Sequence, residues 1–256
     1  MATSLLLKDD YNHDLVELLL RFRHIFHSVL PHKPGDFVKL DLSLNNLRLQ
    51  ELDFDDTENV DQFIRQLIFE GQGKYGYGGY GEERAWYKRG GQFCSEEEVR
   101  SIHLGIDLWA PAGTQLYTPY TGTVHSFRNN DLKGDYGPTI ILEHYINSRA
   151  FYSLYGHLSL ESIQNLEIGQ QFLTGAPLAQ IGEYPVNGDW PPHLHIQLID
   201  YIGDHEGDFP GVAYKHEQRT WLTRCPNPAR LYLGVRRYKI IVACCKRTVP
   251  RLGLQA

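Results

Sequence analysis

The segment PPHLHIQL, residues 191–198, places two histidines on either side of a leucine. Successive side chains of a β-strand point to opposite faces, so Leu194 can enter a core while His193 and His195 share the other face. The two imidazoles then lie roughly 6.6 Å apart along the strand. A His-x-His pair alone is a weak indication of a metal site, because many histidines are only polar groups with satisfied hydrogen bonds. The neighbouring sequence must show whether this pair binds a metal.

A second segment, HLGID at residues 103–107, adds a carboxylate to these imidazoles. His103 and Asp107 are four residues apart, so in a strand they also share a face. Two histidine nitrogens and one carboxylate oxygen form the ligand set of a catalytic zinc site, which leaves a fourth position for water. Spacing alone does not decide whether His193 or His195 would complete this set.

Short apolar segments with turn residues lie between the two motifs, and they follow one another in a characteristic order. They are APAGT (110–114), GTV (122–124), YGPTIILEH (136–144), YGHLS (155–159), IGQ (168–170) and IG (181–182). With HLGID before them and PPHLHIQL after them, residues 100–200 resemble the lysostaphin-type zinc metallopeptidases. The barrel of these enzymes is shared with the duplicated hybrid motif proteins.

This resemblance implies both a fold and a set of site residues. The expected fold is mainly β, a duplicated hybrid motif barrel-sandwich peptidase domain with an α-helical N-terminal extension. His103, Asp107 and His195 match the Zn²⁺ ligands of the family. His157 and His193 match the two histidines that assist catalysis beside the metal. The choice of His195 over His193 as the ligand comes from the resemblance.

The implied activity is zinc-dependent hydrolysis of a peptide or amide bond. Zinc lowers the pKa of its bound water from about 15.7 towards 7, and a neutral imidazole can accept a proton and deliver it to the leaving amine. The expected substrate is a cell-wall-type peptide or a small intracellular peptide. The alternative is a non-catalytic metal-binding or regulatory module on the same fold.

Composition and charge limit the classes of binding partner and the cellular location that we expect. The formal net charge of −6 disfavours a general nucleic-acid binder, and no apolar run is long enough for a membrane span. The first ten residues do not read as a secretory signal, and the four cysteines do not suggest a disulfide framework. We therefore expect a cytoplasmic protein, although many relatives act on cell walls outside the cytoplasm.

Three regions are expected along the chain. Residues 1–90 form an N-terminal helical region with a Gly/Tyr-rich loop, 91–235 form the metallopeptidase domain, and 236–256 form a C-terminal strand and tail. Apolar periodicity predicts helices over 14–30 and 58–69. A weaker resemblance, over about residues 75 to 235, links the chain to a module found between kinase-like and aminotransferase modules in fused proteins.

Other segments have simpler interpretations. Residues 36–49 alternate like a strand, and residues 82–88 are predicted to form a strand that enters the barrel. The Gly/Tyr-rich segment 71–81 is predicted to be either a lid over the cleft, with its tyrosines against substrate, or a plain connector. Cys244 and Cys245 are expected to be buried on a strand. Four further histidines are expected to be structural or solvated: His125, His144, His205 and His216.

Overall fold

A computed structural model describes residues 15–88 and 98–232 of the chain. Its strands are β1 (Phe37–Lys39), β2 (Tyr75–Gly78), β3 (Arg100–His103), β4 (Ile106–Trp109), β5 (Gln115–Tyr117), β6 (Gly122–Asn130), β7 (Gly137–Ile146), β8 (Arg149–Gly156), β9 (Gln171–Phe172), β10 (Pro177–Gln180), β11 (His193–Ile199) and β12 (Val212–Tyr214). Its helices are α1 (15–21), α2 (Thr57–Glu70), α3 (Glu161–Gln164), α4 (Gln218–Arg224) and α5 (Ala229–Tyr232). The prediction of a mainly β fold is confirmed.

Within the described residues, eight strands form one mixed sheet in the order β1-β2-β4-β11-β8-β7-β6-β9. Strands β5 and β10 form one antiparallel pair, and β3 and β12 form another. None of the helices in the described ranges has both the length and the apolar character that a membrane crossing requires. Every residue of β11 is buried, so its side chains are covered on both faces of the sheet.

The two faces of β11 divide as the sequence predicts. Leu194, Ile196 and Leu198 belong to the main hydrophobic core, together with residues of β4, β7 and β8. His193 and His195 lie on the opposite face and are also buried. Because each strand position is fixed by hydrogen bonds to β4 and β8, this face holds its polar side chains in a fixed register.

The N-terminal helix is shorter than predicted. Residues 15–21 are α-helical, a 3₁₀ turn follows, and Phe26 already has an extended backbone. The predicted continuation to Leu30 is wrong because the backbone hydrogen-bonds to the β domain instead: His27 N–H donates to Pro119 O at 2.7 Å, and Tyr117 N–H donates to Val29 O at 3.0 Å. The segment packs on the β domain, since Leu15 joins the main core.

Helix α2 forms as predicted and supports one wall of the β domain. Its first turn is capped by Asp56, whose side chain accepts the Asn59 N–H at 3.0 Å. Val60 and Ile64 are buried in a cluster with Trp86 and Trp109. The apolar face of the helix therefore packs behind two tryptophans that line the cavity described below.

The strand predicted over residues 36–49 is mostly wrong. Only β1 is a strand, and Leu47–Leu49 form a 3₁₀ turn because the Asn46 side chain accepts the Arg48 N–H at 3.1 Å. The strand predicted over 82–88 is also wrong. Glu83 and Arg84 form isolated bridges, and a 3₁₀ turn begins immediately after them.

The Gly/Tyr-rich segment is neither a lid nor a plain connector. Four of its residues form β2, which lies between β1 and β4 in the large sheet. The glycines permit this packing, because a Cβ at Gly76 would lie 2.7 Å from Leu40. Tyr75 is buried, and the Tyr80 hydroxyl donates to Cys225 O at 2.6 Å. The contact of these tyrosines with substrate stays a prediction, and none of the three lines the cavity described below.

Cys244, Cys245 and the predicted C-terminal strand lie outside the described residues. His125 is half-buried on β6 and His216 is exposed, so both fit their structural or solvated interpretation. His144 is fully buried on β7: its Nδ1 donates to Thr121 O at 3.0 Å, and its Nε2 lies 2.6 Å from the Ser153 hydroxyl.

We expect His144 to make folding stability depend on pH. Burial lowers its pKa from 6.5 to about 4 in the folded protein. Between these pH values the unfolded chain binds more protons than the folded protein. The stability that neutral His144 contributes is therefore present above pH 6.5 and is lost as the pH falls towards 4. The loss is on the order of 2–3 kcal/mol.

Urea unfolding from pH 4 to 7 should show a weaker pH dependence for His144→Gln than for wild type, and an unchanged dependence for His125→Gln. The same pH dependence of the unfolding free energy in all three proteins would contradict this role of His144.

Candidate metal centre

Three strands bring together the residues that the sequence selected as metal ligands. His103 ends β3, Asp107 lies in β4, and His195 lies in β11 directly opposite Asp107 in the antiparallel register. His103 Nε2 lies 2.9 Å from His195 Nδ1 and 3.3 Å from Asp107 Oδ1. His195 Nδ1 lies 3.1 Å from the same carboxylate oxygen. All three residues are buried.

This triangle has the dimensions of one face of a zinc coordination tetrahedron. Zinc–nitrogen and zinc–oxygen bonds of about 2.0–2.2 Å give donor–donor edges of about 3.3–3.6 Å. The observed edges of 2.9, 3.3 and 3.1 Å are close to this range. One carboxylate and two neutral imidazoles also match the zinc preference for nitrogen and oxygen donors. The residues present therefore fit a zinc ion.

Each imidazole of the triangle is oriented by a second partner. His103 Nδ1 donates to Gly79 O at 3.1 Å, and His195 Nε2 donates to the Gln197 side-chain oxygen at 3.1 Å. Gln197 is itself held, because its amide group donates to Pro210 O at 3.0 Å. With these protons placed, His103 Nε2 and His195 Nδ1 present lone pairs to each other and to Asp107. Such outer partners fix the tautomer and the ring orientation of metal ligands.

A buried arginine holds the remaining oxygen of Asp107. Arg84 Nη1 donates to Asp107 Oδ2, and Arg84 Nε donates to Glu82 at 2.9 Å. Burial alone would raise the pKa of Asp107, but His103 and Arg84 outweigh it and hold that pKa well below its usual range. Asp107 is therefore a carboxylate at neutral pH. Nothing in the sequence singles out Arg84, because one arginine in the charged segment Glu82-Glu-Arg84 forms no recognisable motif.

The same environment keeps His103 neutral. Burial and then the charge of Arg84 lower the pKa of His103 from 6.5 to about 3. A metal ligand must offer an unprotonated nitrogen, and this histidine does so without losing a proton at neutral pH. Close packing also fixes His195, because a Cβ at Gly105 would lie 2.8 Å from its ring.

The two other histidines selected from the sequence lie together beside the triangle. The ring centroids of His157 and His193 are 4.3 Å apart, and His193 Nε2 lies 3.8 Å from Asp107 Oδ1. His157 Nδ1 donates to Asn187 O at 2.8 Å, and His193 Nδ1 donates to Pro191 O at 2.7 Å. Their Nε2 atoms are therefore left as proton acceptors.

Burial keeps this pair neutral as well. The pKa of His157 is well below its usual value because of burial and then the neighbouring His193, and burial lowers the pKa of His193. His157 follows the Gly156 end of β8 with φ of +62°, a left-handed conformation that directs the side chain out of the strand path. The His157 N–H donates to Tyr136 O at 2.7 Å, which stabilises this turn.

Four of the five residues, Asp107, His157, His193 and His195, border a cavity of about 250 Å³. Aromatic side chains form much of its wall, and Trp109 stacks on His193 with ring centroids 5.4 Å apart. His205, predicted to be solvated, is half-buried and lines this cavity because it packs edge-on against Phe209 at 4.9 Å. The arrangement thus combines a candidate metal triangle, two neutral proton acceptors and a small aromatic cavity.

Comparison with known proteins agrees with this arrangement. Residues 101–206 match the model of peptidase family M23. This range contains the triangle and both histidines beside it. The predicted resemblance to lysostaphin-type zinc metallopeptidases is therefore confirmed for this part of the chain. No curated protein matches the sequence.

Several solved structures are similar at low identity. The catalytic domain of the antimicrobial peptidase lysostaphin from Staphylococcus simulans is 20% identical, with a TM-score of 0.38 over 63% of this chain and 96% of that one. A zinc-containing peptidase from Vibrio cholerae is 24% identical, with a TM-score of 0.30 over 41% of this chain and 29% of that one. An M23 peptidase from Pseudomonas aeruginosa is 21% identical, with a TM-score of 0.34 over 53% of this chain and 45% of that one.

The chain therefore spans less than half the length of the Vibrio and Pseudomonas proteins. The TM-scores are low, so we base no functional statement on these structures. The family match over residues 101–206 and the contacts within the site support the function proposed below.

Proposed function

We propose that the protein is a zinc-dependent metallohydrolase that cleaves a peptide or amide bond. The observation that supports this most strongly is the triangle of His103, Asp107 and His195, with a second pair of neutral histidines beside it. In this proposal the triangle holds Zn²⁺, and His157 and His193 act on the reacting groups. A structural metal site would have no need for the two additional proton acceptors on an open cavity.

Zinc at the triangle would lower the pKa of water and polarise the scissile carbonyl. His157 and His193 then act jointly. Their Nε2 atoms accept the proton of the attacking water and return it to the leaving amine. Each ring is anchored through Nδ1 to a backbone carbonyl, so the acceptor nitrogen is already oriented before substrate binds. Arg84 keeps Asp107 ionised and holds its outer oxygen, which leaves Oδ1 for the metal.

The proposed substrate is a peptide, either of the cell-wall type or a small intracellular one. Family M23 supports peptide hydrolysis as the chemistry.

We expect purified full-length protein to contain close to one zinc ion per chain and to cleave short glycine-containing or D-alanine-containing peptides. Metal analysis gives the first result, and chromatography of the peptide products gives the second. Chelated protein is the matched control, and zinc should restore its cleavage. Stoichiometric zinc with no cleavage of any peptide would favour a non-catalytic metal-binding module, and absence of zinc after zinc-replete purification would refute the proposal.

A further inference from the structure

Three hydrogen-bond donors without partners meet at the cavity beside the candidate metal centre. Arg84 Nη2, Trp109 Nε1 and the Tyr136 hydroxyl are buried and have no hydrogen-bond partner within the described part of the chain. All three residues line the cavity. Arg84 and Trp109 are each only 2% exposed. Buried polar groups are nearly always paired in folded proteins, so a cluster of unpaired ones requires an explanation.

The three groups share one chemical property. A guanidinium and an indole nitrogen can only donate hydrogen bonds. Burial and the neighbouring Asp208 raise the pKa of Tyr136 well above 10, so its hydroxyl is also protonated at neutral pH. A ligand that satisfies Arg84 Nη2 and Trp109 Nε1 must therefore supply acceptor oxygens, and the Tyr136 hydroxyl can donate to a further one.

Charge distinguishes a carboxylate from a neutral carbonyl at the Arg84 end of the cavity. Arg84 lies between Glu82 and Asp107, and its guanidinium carbon lies 5.7 Å from the Trp109 ring. Once Asp107 shares its charge with a metal ion, only Glu82 balances the guanidinium. The region around Arg84 is then electropositive, and a guanidinium pairs with carboxylate oxygens more strongly than with neutral ones.

Two carboxylates line the same cavity beside Tyr136. Asp135 and Asp208 line the cavity and lie close enough to Tyr136 to raise its pKa. A carboxylate would be repelled there, whereas the amino group of a short peptide would be attracted. The cavity volume of about 250 Å³ is also below the range of about 300–1,000 Å³ for drug-sized ligands. Charge and size together favour a short peptide with free ends.

We propose that the cavity recognises the carboxylate of a short free peptide, with Arg84 and Trp109 as its anchors. This inference depends on the proposed hydrolase function, and it narrows the substrate from peptides in general to small anionic ones. The carboxylate binds at Arg84 Nη2 and Trp109 Nε1, and Tyr136 donates to an oxygen nearer the amino end. A peptide whose carboxyl groups are all in amide bonds would offer Arg84 no charged partner.

The test compares two inhibitors that differ only in this carboxylate. Zinc-loaded full-length protein is titrated calorimetrically with a phosphinic analogue of glycylglycine that has a free carboxylate, and with its carboxamide. The carboxamide keeps one acceptor oxygen, but it lacks the negative charge and presents an NH₂ donor in place of the second oxygen, so it should bind at least about tenfold more weakly. Arg84→Met should reduce this preference to near one, whereas Arg128→Met, which alters an exposed arginine on β6, should leave it unchanged.

Two milder variants protect the test against misfolding of Arg84→Met. Trp109→Phe and Tyr136→Phe each remove one donor and keep an aromatic ring. We expect Trp109→Phe to reduce the preference for the free acid about threefold or more, and Tyr136→Phe to weaken both inhibitors equally. Thermal unfolding shows whether each variant is folded. Equal affinities of folded wild type for the acid and the carboxamide would overturn the proposal, and so would zinc-loaded protein that binds neither.

Failure of the carboxylate site is distinguishable from failure of the hydrolase proposal. Metal analysis of the same samples reports the zinc content independently of the inhibitors. Metal-free protein is also titrated with N-acetylglycylglycine and its amide, which need no metal for binding. A preference for the acid that Arg84→Met removes supports the carboxylate site even if zinc is absent. No preference in metal-free and zinc-loaded protein alike refutes the site and leaves the hydrolase proposal to its own test.

Discussion

Replacing His195 with alanine is expected to reduce bound zinc from close to one ion per chain to near zero, whereas His193→Ala should retain it. His195 Nδ1 lies within 3.1 Å of both other members of the triangle. His193 Nε2 is farther from the Asp107 carboxylate, at 3.8 Å, and its ring stacks on Trp109. A tetrahedral site that loses one of three protein ligands is left with two, too few for stable binding.

Elemental analysis after gel filtration in zinc-free buffer measures this difference. His103→Ala and Asp107→Ala should behave like His195→Ala, and His216→Ala, at an exposed position, is the matched control. Thermal unfolding in the presence of chelator confirms that a loss of zinc is not a loss of the fold. If His193→Ala loses zinc while His195→Ala keeps it, the two histidines have exchanged roles.

The sequence could predict these residues because strand geometry is local. Alternation around Leu194 determines that His193 and His195 share a face, and the structure places Leu194 in the main core. Which of the two histidines is the metal ligand is not decided by the local sequence. It depends on the register of β11 against β4, which sets His195 opposite Asp107 and His193 opposite Trp109. Only the resemblance to a known family supplied that choice before the structure did.

Arg84 and the Gly/Tyr-rich segment show where sequence reasoning failed. Arg84 reaches Asp107 across 23 residues of chain, and nothing in the local pattern indicates that contact. The glycines of β2 suggested a mobile loop, because glycine is usually unfavourable in strands. Here they permit close packing against Leu40, so tertiary contacts outweigh local propensity. The segment still contributes to the site, since Gly79 O accepts the hydrogen bond from His103.

Removal of either assisting histidine is expected to lower kcat by roughly 10²–10⁴ without loss of zinc, the usual contribution of general acid–base catalysis. His157 and His193 each hold Nδ1 against a backbone carbonyl and direct Nε2 away from it, towards the cavity. Alanine removes the proton acceptor but leaves the triangle of ligands intact. Because the two rings lie 4.3 Å apart and act together, the double variant should lose little more than the worse single variant.

Single-turnover kinetics on a cleaved peptide, with zinc content measured on the same samples, tests this expectation. His125→Ala is the matched control, because this histidine is half-buried on β6 and is not among the residues that line the cavity. KM should change less than kcat, since the lost interaction belongs to proton transfer and not to substrate binding. A His157→Ala or His193→Ala variant that keeps both zinc and full kcat has no role in proton transfer. Multiplicative losses in the double variant would show that the two histidines act in separate steps.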